Sequence, residues 1–180
     1  MNRKHLKQII PMSQKITDPY AFLRNLVAKK GKSDLEGVYL TSVNVSADAN
    51  QDYGYAFSET TVSMDLRVIR MDKAAWDNLL VSTRKQPNDI VYSIAIQYTS
   101  HPVLLCFLVD GSEMSCNVSI PTLALDEFVT QVTIFQRLLK EVAEFAGKIP
   151  TSVRFSIGVV TIYWDDLVEY GEAQEVDVGF

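Results

Sequence analysis

Apolar residues along this chain recur with two periods, and those periods divide it into helices and strands. Tyr20, Phe22, Leu23, Leu26 and Val27 fall at helical spacing. Thr17 or Asp18 can cap this helix, Pro19 suits its first turn, and Gly31 offers a stop. Lys29 and Lys30 then sit at the negative pole of its dipole. Residues 36–48 favour a strand through Val38, Leu40, Val43 and Val45, although the alternation lapses at Thr41 and Ser42. Residues 49–60 form a polar, glycine-containing loop with three aromatics, Tyr53, Tyr55 and Phe57. A loop folded back on the core is the favoured reading, ahead of a cover for a groove or partner. Residues 61–70 alternate as a half-buried strand, with Val62, Met64, Leu66 and Val68 on one face. Residues 72–84 read as a helix capped by Asp72, with Ala75, Trp76, Leu79 and Leu80 along its apolar side. A turn around Pro87 follows.

Three strands come next. Residues 90–98 place Ile90, Tyr92, Ile94, Ile96 and Tyr98 together. Residues 103–109 are a nearly continuous apolar run, the pattern of a strand covered on both faces. Asp110-Gly111 opens a hairpin turn, and residues 113–120 return with Met114, Cys116 and Val118 alternating against polar neighbours. Residues 125–147 make the strongest helix. Asp126 is its candidate cap, and Gly147 stops it. Phe128, Val132, Phe135, Leu138, Leu139, Val142 and Phe145 form its broad apolar stripe. Residues 152–163 are a last long strand, after which Trp164, Asp165 and Asp166 lead into an acidic tail. The order predicts an α+β fold, one large mixed or antiparallel sheet with helices packed on one face. The domain spans 18–167, between a loosely ordered arm (1–17) and a C-terminal tail (168–180). Strands 90–98, 103–109 and 152–163 carry apolar residues on both faces. One helix layer covers only one of those faces, so the other requires a partner surface, most simply a second copy.

Composition narrows the class. With 47% hydrophobic and 22% charged residues in 180, disorder is excluded as the dominant state. Two cysteines, Cys106 and Cys116, make neither a disulfide framework nor a zinc cluster, and both read as small core residues on strands. No metal or cofactor is expected. No run of about 18 apolar residues predicts a membrane span, and the basic start MNRKHLKQ lacks the apolar stretch of a signal peptide. A cytoplasmic setting is the expectation. Residues 1–33 carry eight Lys/Arg against one acid, leaving nine bases and 21 acids for the body. Such an arm, with Arg3, Lys4, Lys7 and Lys15 at its head, can bind nucleic-acid phosphates, solubilise the chain, or dock on an acidic neighbour. The acidic body and the lack of interleaved aromatics weigh against nucleic acid.

Motif chemistry is sparse. The chain has no phosphate-binding glycine loop, no HExxH and no CxxC. His5 and His101 are its two histidines. Asp165 and Asp166 read as a cap or a solvated face, and the sequons at Asn44 and Asn117 matter only in a secreted protein. On residue chemistry a binding or assembly protein is favoured over an enzyme.

Several segments nevertheless resemble, in order and spacing, the thymidylate synthase and deoxypyrimidine hydroxymethylase superfamily. PYAFLRNLVAKKG (19–31) has the form of its opening helix, and QPNDIVYSIAI (86–96) follows a helix as its N-P-D-D-R-R segment does. SHPVLLCFLVDGSEMSC (100–116) matches the P-C-H to L-S-C hairpin in length. PTLA (121–124), the long helix and VVTIY (159–163) occupy the places of R-S-x-D, the P-F-N-I-A helix and D-x-H-I-Y. The resemblance covers most of 19–167 and implies a homodimer packed sheet to sheet. It places the family's nucleophilic cysteine at His101, with Cys106 in the core. Its phosphate-binding arginines fall at Ile90, Val91 and Pro121, its pyrimidine-reading asparagine near Gln131, and its ribose-binding pair at Thr161 and Tyr163. Imidazole does not replace a thiolate Michael nucleophile, and aliphatic residues bind no phosphate. The implied protein is a catalytically inactive, homodimeric binding or structural component, and a phage source suits such a degenerate copy. His101, Gln131, Thr161 and Tyr163 would form any retained site for a nucleotide or single-stranded nucleic acid. The alternatives are an enzyme acting on deoxypyrimidine nucleotides by a divergent mechanism, and an RNA- or DNA-binding protein using the basic arm.

Overall fold

A computed structural model describes residues 18–55, 69–98 and 101–164. The first helix, α1 (Pro19–Lys30), starts where the sequence signals it. Asp18 Oδ1 accepts the N–H groups of Tyr20 (2.9 Å) and Ala21 (3.2 Å), and Pro19 needs no acceptor. Gly31 ends the helix in extended conformation rather than the left-handed one. Its hydrogen side chain is required because a Cβ would lie 2.4 Å from the Val27 carbonyl oxygen. The two-residue β1 (Lys32–Ser33) and the long β2 (Gly37–Asp48) follow. Residues 49–55 fold back on the core, as expected. Tyr53 and Tyr55 stack with centroids 5.6 Å apart, the Tyr53 hydroxyl accepts the Asp48 N–H at 2.7 Å, and the Tyr55 hydroxyl donates to Asp18 Oδ1 at 2.8 Å. Burial, reinforced by the Asp18 carboxylate, pushes the Tyr55 phenol pKa up, so this bond persists through alkaline pH.

One carboxylate thus caps α1 and anchors the loop. Asp18→Ala should cost about 1–2 kcal/mol, lowering the melting temperature by about 3–6 °C. Asp18→Asn, which keeps the acceptor, should recover most of that loss. Thermal melting of the two variants checks it, and an unchanged melting temperature in Asp18→Ala would remove the anchor from the account.

Phe57 and nearly all of the predicted strand 61–70 lie outside the described residues. β3 (Ile69–Arg70) is the part described. α2 (Lys73–Lys85) is capped by Asp72, which accepts from Ala74 and Ala75, and buries Trp76, Leu79 and Leu80. β4 (Val91–Tyr98), β5 (His101–Asp110) and β6 (Glu113–Ala124) form an antiparallel meander, and the β5–β6 hairpin turns on Gly111 at φ 59°. α3 (Leu125–Ala146) then crosses back so that β7 (Ile149–Tyr163) lies parallel to β6. The strand order is β1-β2-β7-β6-β5-β4-β3, and β6–β7 is its single parallel pair among the described residues. α1 and α2 flank α3, and the three pack as one layer on one face of the sheet. The fold is α+β, as predicted, with a mixed sheet.

Two details of α3 differ from expectation. Its N-cap is Ala124, with no side-chain cap, because the chain runs into the helix straight from β6. Asp126 and Glu127 instead sit in the first turn and favour the helix dipole. Phe145 is 42% exposed and lies off the buried stripe. Gly147 ends the helix in the left-handed region at φ 64°, as its sequence position implied.

A crease crosses the sheet. In β2 the buried hydrophobic side chains are Val43, Val45 and Ala47 on one side of Ser42, but Val38 on the other. In β7 they are Val153, Phe155 and Ile157, then Val160 and Ile162. In β6 they run from Met114 to Ile120 in steps of two, then shift to Leu123. The inward parity therefore flips at Ser42, Gly158 and Pro121. The register places these three side by side, between the pairs Thr41↔Val159 and Val43↔Ile157 and between Ile120↔Ile157 and Thr122↔Val159. Ser42 adopts φ 57°, in the left-handed region, while the β2–β7 pairing stays one to one across it. The lapse in alternation at Thr41–Ser42 is the sequence trace of this crease.

Candidate interface on the helix-free face

Side chains that alternate with the core residues point to the face without helices. Register aligns them into rows below the crease. β2 contributes Ser42, Asn44, Ser46 and Asp48, and β7 contributes Ser152, Arg154, Ser156 and Gly158. β6 adds Ser115, Asn117, Ser119 and Pro121. β5 adds Pro102, Leu104, Cys106 and Leu108, and β4 adds Val91, Ser93, Ala95 and Gln97. None of these residues is buried, and only Asp48 and Arg154 are charged.

This corrects the expectation of apolar residues on both faces. The outward sides of β4 and β7 are small and mostly polar, and only β5, with its neighbour Val91, presents an apolar stripe. Leu104 is 44% exposed there. The continuous run 103–109 is covered on one side among the described residues, by Val103, Leu105 and Phe107 packing under the helices. Cys106 is corrected with it, since it is half-buried on the helix-free face rather than in the core. Cys116 is a core residue, as expected, and burial first, then the neighbouring Cys106, pushes its thiol pKa up, so it stays protonated.

Where the crease meets this face it forms a shallow groove of about 560 Å³, lined by Ser42, Asn44, Pro102, Leu104, Ser119 and Gly158 among others. Ser156 Oγ donates to Asn44 Oδ1 at 2.9 Å along one wall. No lining residue is charged and none is aromatic, so the groove offers neither a phosphate clamp nor a stacking platform.

The residues singled out by resemblance are dispersed. His101 is exposed at the start of β5, paired with Tyr98. Gln131 lies 1% exposed in α3, in the helix layer, with Oε1 lacking a hydrogen-bond partner. Val160 and Ile162 face the helices, so Thr161 and Tyr163 point away from the layer that holds Gln131. None of these four lines the groove. Ile90 and Val91 lie at the opposite end of the β4–β5 pair from His101, and Pro121 lies in the crease. Arg3, Lys4, Lys7 and Lys15, and Asp165 and Asp166, lie outside the described residues. No described helix is long and apolar enough to cross a membrane. Among the described residues no three His, Cys, Asp or Glu side chains gather as a metal-ligand set.

Sequence reasoning missed Ser42, Pro121 and Gly158 as a group. The polar alternation of 113–120 and the lapse at Ser42 were visible, but only the inter-strand register brings them together. Compared with known proteins, the chain matches no family model and no curated protein.

Proposed function

We propose that this chain is a catalytically inactive, homodimeric binding or structural protein, with a thymidylate-synthase-like fold, that pairs through the helix-free face of its sheet. The observation that carries this reading is the scarcity of charge there. A sheet face kept in water ordinarily alternates in lysine, glutamate and threonine, whereas the four rows below the crease carry two charges over five strands, with Asp110 and Glu113 beyond them at the hairpin end. Few charges and an apolar stripe are features of an interface core, and the serines around the stripe suit its polar rim. Five strands at about 4.8 Å spacing and four rows at about 6.8 Å give roughly 650 Å² per copy, or roughly 1,300 Å² for two. This lies at the lower end of the range of specific interfaces. The resemblance supports the same sheet-to-sheet mode. Its nucleophile position holds His101, and Cys116 is sealed in the core, which supports inactivity.

The test is Leu104→Glu. A carboxylate in the apolar stripe should weaken association at least about 100-fold and halve the mass seen by sedimentation equilibrium at micromolar concentration. Cys106 should then react with thiol reagents at least about tenfold faster than in the native assembly. A native chain that sediments as a monomer, or an association that Leu104→Glu leaves unchanged, rejects pairing through this face.

A further inference from the structure

The two edges of the sheet are finished differently, and the difference follows from where their backbone hydrogen bonds go. At the β2 edge Ala49 N–H donates to the Thr151 carbonyl at 2.9 Å, so even-numbered residues from Asp48 back to Asn44 turn their backbone groups outward. That edge is closed at its two ends, while the outward groups of Asn44 and Ser46 between them have no backbone partner among the described residues. Asp48 N–H is held by the Tyr53 hydroxyl, and its carbonyl accepts Gln136 Nε2 at 2.6 Å. Ser42 interrupts the extended backbone at φ 57°, and β1 covers Val38 and Tyr39.

At the β4 edge Val109 N–H donates to the Ile90 carbonyl at 2.9 Å. Alternation then turns Tyr92, Ile94 and Ile96 toward β5, and Val91, Ser93, Ala95 and Gln97 outward. β3 pairs only with Gln97 and Tyr98, and the chain leaves the sheet at residues 71–72, beside Ala95. Among the described residues the outward groups of Val91 and Ser93 have no backbone partner. The strand itself carries no guard in its sequence. Residues 90–98 contain no charge and no proline, and Ile90 is 73% exposed at their start.

We infer that this edge pairs with the same edge of a second copy, β4 antiparallel to β4 about a two-fold axis beside Tyr92, extending the sheet across both chains. In that register Val91 of each copy faces Ser93 of the other, and the two pairs exchange four N–H to carbonyl hydrogen bonds. On the helix side Tyr92 meets Tyr92, and the exposed Ile90 meets Ile94 of the partner, aromatic and β-branched pairs of the kind that stabilise sheets. No like charges oppose one another. The contact uses the outward backbone groups of Val91 and Ser93, whereas pairing through the helix-free face uses their side chains, so a chain using both surfaces forms a tetramer or a longer array.

The experiment uses the full chain with Ser93→Cys in a Cys106→Ser background and a short bismaleimide at micromolar protein. A covalent dimer is expected, and the product should fall at least tenfold when Val91→Pro is added, because proline removes an outward donor and no hydrogen bond within the chain. Leu104→Glu, which addresses the other surface, should leave the cross-link intact. Ala95→Cys in the same background is a second reporter of the contact, and thermal melting confirms folding of each variant. Absence of the covalent dimer from both reporters, or a yield that Val91→Pro leaves unchanged, overturns the inference and leaves pairing through the face unaffected.

Discussion

Gly158→Ala is expected to destabilise the chain by about 2–3 kcal/mol, lowering the melting temperature by about 5–10 °C. The cause is contact, not conformational freedom. A Cβ at this position would stand 2.4 Å from the Pro121 carbonyl oxygen, and that neighbour is backbone within a central strand. β6 and β7 would have to separate at the crease, between Ile120↔Ile157 and Thr122↔Val159, in the parallel pair on which α3 sits. Ser156→Ala, two residues earlier, loses only an exposed hydrogen bond to Asn44 and should cost under about 1 kcal/mol. Melting curves of both variants decide the matter. If Gly158→Ala melts with the native chain, β6 and β7 do not approach as closely as described.

The local parts of the fold were legible because their causes are local. Asp18-Pro19, Asp72 and Gly147 act through groups within a few residues of themselves, and each ends its helix as the sequence indicated. Asp126 misled because capping competes with the path of the chain. β6 continues without a loop into α3, so the cap position falls on Ala124. The apolar run 103–109 misled for a different reason. Hydrophobicity fixes which residues tolerate burial, but the coverage of each face depends on helices far away in sequence. Leu104 and Cys106 consequently sit on a helix-free surface that their own segment does not reveal.

The candidate interface lies almost wholly in that non-local category. Ser42 left a visible lapse, yet nothing near Pro121 or Gly158 announces that the three stand in one line. Likewise the serines and asparagines of β2, β6 and β7 are unremarkable singly. Their meaning comes from register, which stacks them into continuous rows with two charges below the crease. The edges show the same division. The sequence 90–98 is plainly uncharged, but its position at an edge depends on how far β3 extends and on where the chain turns into α2.

Phe155→Ala should be the most damaging single truncation, at about 3–5 kcal/mol and a fall of about 10–15 °C in melting temperature. Phe155 is 1% exposed on β7 and paired with Val45 on one side and Val118 on the other. Its ring meets Phe128 edge-on at 5.1 Å and Phe135 at 6.0 Å, which fastens two turns of α3 to the sheet. Truncation removes the transfer free energy of the ring and two edge-to-face contacts worth about 0.5–1.5 kcal/mol each. It also leaves a cavity that β7 cannot collapse into, because both of its neighbours are long ladders. A domain of ordinary stability holds only about 5–15 kcal/mol in all, so this one ring secures a large fraction of it. Phe155→Leu, which refills much of the space, should recover more than half of the loss. Phe145→Ala removes the same ring from the exposed end of the same helix and should cost under about 1 kcal/mol. Comparable losses at 155 and 145, read by denaturant unfolding, would mean that α3 does not dock on β7 through these aromatics. The wide gap expected between them follows from the difference between a side chain locked between helix and sheet and one lying against solvent.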